Sequence, residues 1–149
     1  MSTDRIEKSI FLRAPRSRVW RAIATPEEFG AWFGVALEGA FAPGARVAGR
    51  ITIKGYENLP LEITIDRVEP EQLFSCRWHP YAVDPKVDYS AEPMTLVEFR
   101  LEEVPGGTQL TVVESGFDRI PAARRAEALR MNDRGWDGQL KNIERYVAA

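Results

Sequence analysis

Glu114 and His79 are the two residues whose chemistry is hardest to explain in a passive core. In TQLTVVESGF, residues 108–117, the apolar phase through Leu110 and Val112 continues onto Glu114, so strict alternation puts a carboxylate on the core face near a strand end. A dry, unpaired carboxylate there is expensive. The position calls for a basic partner, a water-filled cavity, or a bulge that turns the side chain outward. Without a close cation, desolvation raises a carboxyl pKa and lets the group donate a hydrogen bond or act as an acid. His79 is the only histidine in the chain, and histidine is the side chain suited to proton exchange near neutral pH. It follows Trp78 at a strand end, and strand phase puts it with Arg77 and Ser75, opposite Cys76 and Trp78. It reads either as a general acid or base or as a structural hydrogen-bonding group.

Other reactive types point to less. Cys76 lies in phase with Phe74 and Trp78 and reads as a small buried hydrophobe, with no base placed to activate it. Glu98 and Arg100 alternate against Val97, Phe99 and Leu101, the pattern of a wet sheet face with cross-strand charge pairs. One cysteine and one histidine cannot supply a four-ligand zinc site, so no metal is expected. Phosphate-loop, dinucleotide-fingerprint and nucleophile-elbow motifs are all missing, which lowers the expectation of an enzyme and implies no cofactor. The 20 basic and 22 acidic residues leave a net charge of −2, with no general attraction for nucleic acid or anionic membrane. The basic run Arg124, Arg125, Arg130 reads as a solvated helix face.

The elements that position these residues follow from periodicity and turn chemistry. RIEKSIFLRAP alternates around Ile6, Ile10 and Leu12 as a strand ending at Pro15. SRVWRAIA and TPEEFGAWFG follow as two short helices. The second has Thr25 as N-cap, Pro26 in its first position, Glu28 completing a capping box, and Phe29, Trp32 and Phe33 as an aromatic cluster. Strands are expected in RVAGRITI, LEITIDRVE, LFSCRWH, TLVEFRLEEV and TQLTVVESGF, separated by turn signals at hairpin spacing. Residues 80–93, with three prolines and two tyrosines, form a long loop of the kind that shapes binding sites. From about Ala122 to Ala148, Leu129, Trp136, Leu140, Ile143 and Val147 share one helical face.

An antiparallel sheet with two short helices before it and one long helix after it is an α+β arrangement, expected as a single domain over residues 1–149. The N-terminus lacks the apolar centre of a secretory signal, and no apolar run approaches the roughly 20 residues of a membrane span. A soluble, cytoplasmic protein is expected.

The last helix contains Gly135 and Gly138 on either side of Trp136, although each interior glycine costs about 1 kcal/mol relative to alanine. They either permit close packing of the helix or leave space beside the indole.

Four stretches, LRAPRSRVWRAIATPEEFGAWFG, FSCRWHP, LTVVESGF and MNDRGWDGQLKNIERYV, together with the order of elements, carry a resemblance. The chain resembles the START-like (SRPBCC, birch-allergen-like helix-grip) superfamily. Within it, the chain is similar to the branch of activator of heat-shock chaperone ATPase homologue-like proteins. The resemblance implies a curved antiparallel sheet gripping a long C-terminal helix, with a cavity between them. It suggests binding of a small apolar or aromatic, lipid-like molecule. Trp32, Trp78, Tyr81, Tyr89, Phe117 and Trp136 would supply apolar walls, and His79 and Glu114 would orient polar groups. As core aromatics alone these rings would be unremarkable. The branch name also implies a chaperone-binding module, although the additional N-terminal domain of the eukaryotic activators is not expected here. Elsewhere in the superfamily the cavity serves cyclase- or hydrolase-like enzymes, which here would use His79 or Glu114.

Overall fold

The computed structural model describes residues 4–84 and 86–148. Strand β1 (Arg5–Leu12) leads into helices α1 (Arg16–Ala24) and α2 (Pro26–Phe33). Strands β2 (Val35–Glu38), β3 (Arg46–Ile51), β4 (Pro60–Glu69), β5 (Leu73–Trp78), β6 (Thr95–Val104) and β7 (Gly107–Ser115) follow. A 3-10 turn (Phe117–Arg119) then precedes α3 (Ala122–Ala148). The strands form one antiparallel, curved sheet in the order β1-β7-β6-β5-β4-β3-β2. The three helices pack against this sheet, which is the α+β helix-grip arrangement expected.

Packing explains why these segments pair as they do. Val97, Phe99, Leu101, Leu110 and Val112 are buried on one face of β6 and β7, while Glu98 and Arg100 occupy the other. Those two pair with each other along their strand, Arg100 donating to Glu98 at 2.9 Å, and not across strands as expected. From α3, Ala128, Trp136, Leu140, Ile143 and Val147 enter the core, whereas Leu129 is only half-buried. Val35–Glu38 was not expected as a strand. Four residues are too few to display alternation, and their pairing is set by contact with β3.

The entry to α2 also differs from expectation. Pro26 occupies the first turn, but Thr25 does not cap; its hydroxyl donates to the Arg21 carbonyl of α1 at 2.7 Å. Glu28 instead accepts from Arg18 at 2.7 Å, Arg21 at 3.0 Å and the Tyr146 hydroxyl at 3.1 Å. Tertiary partners thus displace the local box and tie α1, α2 and α3 together. The helix ends at Gly34, whose φ of 96° is a left-handed conformation that glycine adopts without Cβ strain. A Cβ on Gly30 would sit 2.2 Å from the Val35 carbonyl oxygen, so the α2–β2 corner closes only around glycine there.

The glycines of α3 behave differently. No atom lies within 4 Å of a Cβ built on Gly135 or Gly138, so neither serves close helix packing. Gly138 is exposed, and nothing in the structure explains it. Gly138→Ala is accordingly expected to stabilise the fold by about 1 kcal/mol, from helix propensity alone. Thermal or urea denaturation checks this, and a loss of stability would show that the residue is required.

Candidate functional site

Glu114 stands on β7 opposite Val97 of β6 and Ile6 of β1, and it is fully buried. Alternation brings it to the core face, and no bulge turns it outward. Among the described residues it has no cationic partner. Five hydrogen bonds from four neutral donor groups surround it instead. Its Oε2 accepts from the Trp78 indole at 2.7 Å, the Thr95 hydroxyl at 2.6 Å and Asn132 Nδ2 at 3.2 Å. Its Oε1 accepts from the Trp136 indole at 2.9 Å and Asn132 Nδ2 at 3.0 Å. Burial pushes its pKa above the ordinary carboxylate range, and the bonds from Thr95, Trp78, Trp136 and Asn132 pull it back without cancelling the shift.

The arrangement fixes two indoles. Trp78 at the end of β5 and Trp136 on α3 stack with ring centroids 5.8 Å apart and planes 20° apart. Phe33 lies against both, at 5.6 and 6.4 Å. Gln139 of α3 donates to the Phe33 carbonyl at 2.8 Å and so fixes the end of α2. One carboxylate therefore ties β5, β6, β7 and α3 together behind an aromatic wall.

In front of that wall lies a cleft of about 550 Å³. Phe33, Leu61, Trp78, Trp136 and Gly135 line it from the sheet and helices, and residues 81–84 and 87–90 line it from the long loop. Ile53, Tyr56 and Val87, each about two-fifths exposed, mark its mouth. Gly135 leaves open space on the helix side, the second of the two alternatives that the sequence offered for it.

The loop is pinned from α3. Arg124 donates to the Glu92 carboxylate at 2.6 and 2.9 Å and to the Pro80 carbonyl at 2.8 Å. Its guanidinium lies 4.7 Å from the centre of the Tyr89 ring, a cation–π arrangement. The expected solvated face therefore describes exposed Arg130 and not Arg124. Tyr81 has φ 50°, a left-handed conformation rare for a bulky side chain. His79 Nε2 bonds to the Glu92 carbonyl at 3.1 Å. A carbonyl only accepts, so Nε2 carries a proton and is the donor in this bond.

Of the residues singled out in the sequence, Trp78, His79, Tyr81, Tyr89 and Trp136 come together on the cleft wall. His79 lines the same cleft as Trp78 and not the opposite face, because β5 ends at Trp78 and the alternation ends with it. Glu114 is directly behind the wall. Trp32 and Phe117 are elsewhere in the core: the Trp32 indole donates to the Ala22 carbonyl at 2.8 Å within the Phe29 and Phe99 cluster, and Phe117 is fully buried in the 3-10 turn. Cys76 is buried as expected, and burial raises its thiol pKa far above the usual range.

Sequence reading missed Thr95, Asn132, Arg124 and Gln139. Asn132 was within reach, because it lies one helical turn before Trp136 on a face otherwise apolar.

The fold and sequence have clear relatives. Protein MLL2253 from Mesorhizobium loti is 25% identical with a TM-score of 0.75, over 97% of this chain and 96% of that one. A protein from Arthrobacter aurescens reaches a TM-score of 0.79 at 14% identity, over 98% and 87% of the two chains. The Aha1 dimer from Colwellia psychrerythraea reaches 0.69 at 15% identity, over 94% and 92%. No curated protein matches. The model of the family described as Activator of Hsp90 ATPase homolog 1-like protein matches residues 13–148. That match spans both short helices, six of the seven strands and the gripped helix, so the chain belongs to this family, a branch of the START-like (SRPBCC) superfamily.

Proposed function

We propose that this chain, acting as one START-like domain, binds a small apolar or aromatic molecule in the cleft between the curved sheet and α3. The observation that carries the reading is the stacked Trp78–Trp136 pair, fixed by a buried carboxylate, at the back of a cleft of about 550 Å³. That size suits a drug-sized ligand, and pre-fixed aromatic walls are the usual basis of such sites. Glu114 acts as a positioning residue, since the groups that donate to it stand between it and the cleft. That removes Glu114 from contact with substrate and leaves the cyclase- or hydrolase-like alternative with His79 on the wall.

Titration of tryptophan fluorescence with neutral aromatic and lipid-like compounds tests the reading, because a ligand on this wall perturbs the stacked indoles. Gly135→Phe supplies the control. Its Cβ meets no atom within 4 Å, and its ring is expected to occupy the cleft. Folding stability should be retained while affinity falls more than about tenfold, equivalent to about 1.4 kcal/mol. Saturable binding untouched by Gly135→Phe would place the ligand elsewhere.

The family description and the Aha1 neighbour favour a second reading, a chaperone-binding module. Ile53, Tyr56 and Val87 would then be contact surface. Failure of every compound, together with clear binding to a purified chaperone, would replace the first reading by this one.

A further inference from the structure

The polar inventory of the cleft is one-sided. Among the described residues no lysine or arginine lines it. The ring N–H donors on its wall are spent inside the protein: the Trp78 and Trp136 indoles on Glu114, and His79 Nε2 on the Glu92 carbonyl. The amide nitrogens of Asn132 and Gln139 are likewise directed to Glu114 and to the Phe33 carbonyl. Each of these amides is thereby left with its carbonyl oxygen, an acceptor, away from the group it donates to. Gln139 Oε1 already accepts from Asn142 at 3.0 Å and keeps a second lone pair. The donors left on the lining side chains are hydroxyls, which accept as readily as they donate, and the second N–H of Gln139, whose amide nitrogen bonds once, to the Phe33 carbonyl.

Charge has the same sign. Asp84 and Asp88 line the loop side of the cleft, and Glu62 of β4 lines its sheet side. The Ser90 backbone N–H donates to Asp88 at 2.9 Å, and hydrogen bonding to Ser90 holds the Asp88 carboxyl below the ordinary range, so it is ionised at neutral pH. Asp84 accepts from the Lys86 backbone N–H at 3.0 Å. Arg124, the nearest guanidinium to the loop described above, is neutralised by Glu92.

We propose that the cleft selects an apolar or aromatic amine, held by π-faces and acceptor groups, and discriminates against carboxylate and phosphate ligands. Such a cation gains from the aromatic wall and from Asp84 and Asp88. An anion meets the carboxylates of Glu62, Asp84 and Asp88, with no lysine or arginine among the described lining residues to pair with.

The inference rests on the reading of the cleft as a ligand site, and one experiment separates their failures. Matched naphthyl, biphenyl and decyl compounds, each bearing an aminomethyl, a hydroxymethyl or a carboxylate group, are titrated by calorimetry at low and high salt. The expected order is amine over alcohol over carboxylate. The amine should exceed the carboxylate by on the order of tenfold at low salt, and the margin should narrow at high salt. Asp84→Asn/Asp88→Asn, which keeps both loop hydrogen bonds available, should bring the ratio towards one without loss of alcohol binding. Binding with no charge preference, or with the carboxylate preferred, overturns the inference and leaves the ligand site standing. Absence of binding by all nine compounds overturns both.

Discussion

Glu114→Ala is expected to destabilise the fold by about 3–5 kcal/mol at neutral pH, an effect outside the usual range for a single hydrogen-bonding residue. The substitution leaves the Trp78 and Trp136 indole N–H groups without acceptors in a buried site, each costing about 1–3 kcal/mol, and opens a void behind the wall. Removal of a buried carboxylate offsets part of this. Glu114→Gln should cost less, about 1–3 kcal/mol, since the amide keeps one acceptor but turns an NH2 towards other donors. Urea denaturation at unchanged m-value measures both. A cost below about 1 kcal/mol for the alanine variant would show that the indoles are held by packing alone.

The pH dependence of the same residue has a definite sign. Burial raises the native pKa of Glu114, so the native state binds its proton more tightly than the unfolded chain does. Its contribution is fully present below the unfolded value and is lost as pH rises through the raised native value. Glu28 works in the opposite direction. Despite desolvation, its bonds to Arg18 and Tyr146 and the charges of Arg18 and Arg21 hold its pKa down, so its contribution is lost as pH falls. The difference between wild type and Glu114→Gln isolates the first effect and should shift in favour of wild type as pH falls towards the ordinary glutamate range. A shift the other way would mean that the four donor groups outweigh desolvation.

What could be read from sequence was what depends on short range. Strands with one wet and one buried face declare themselves by alternation, and the same phase carried Glu114 onto the core face. Its donors are a matter of register. Thr95 reaches the carboxylate because it pairs with Trp78 across β5 and β6, while Glu114 pairs with Val97, and no local pattern encodes that. The capping box failed for a related reason: Glu28 found Tyr146, 118 positions away, and not its own helix terminus. A glycine gives no indication of what stands opposite it. Gly30 has a carbonyl oxygen where its Cβ would be, and Gly135 has open cleft, although in sequence both are simply glycines in helices.

Trp136→Ala should cost about 3–5 kcal/mol, comparable to Glu114→Ala, but by a different division of causes. The indole is 3% exposed and stacks on Trp78. It also meets Phe99 edge-on at a centroid distance of 5.7 Å. Its removal forfeits this packing and one of the bonds to Glu114. Trp136→Phe separates the two causes. A phenyl ring retains much of the contact with Trp78 and Phe99 but has no N–H, so Glu114 Oε1 keeps only Asn132. The phenylalanine variant should therefore lose about 1–2 kcal/mol, close to one charge-assisted hydrogen bond plus a small packing defect. In a double-mutant cycle with Glu114→Gln, the Trp136→Phe loss should shrink by more than 0.5 kcal/mol, the lower bound for residues in direct contact. Additive losses would mean that the carboxylate and the indole stabilise the fold independently. Trp78 and Trp136 would then be an ordinary aromatic pair and not a wall positioned by Glu114.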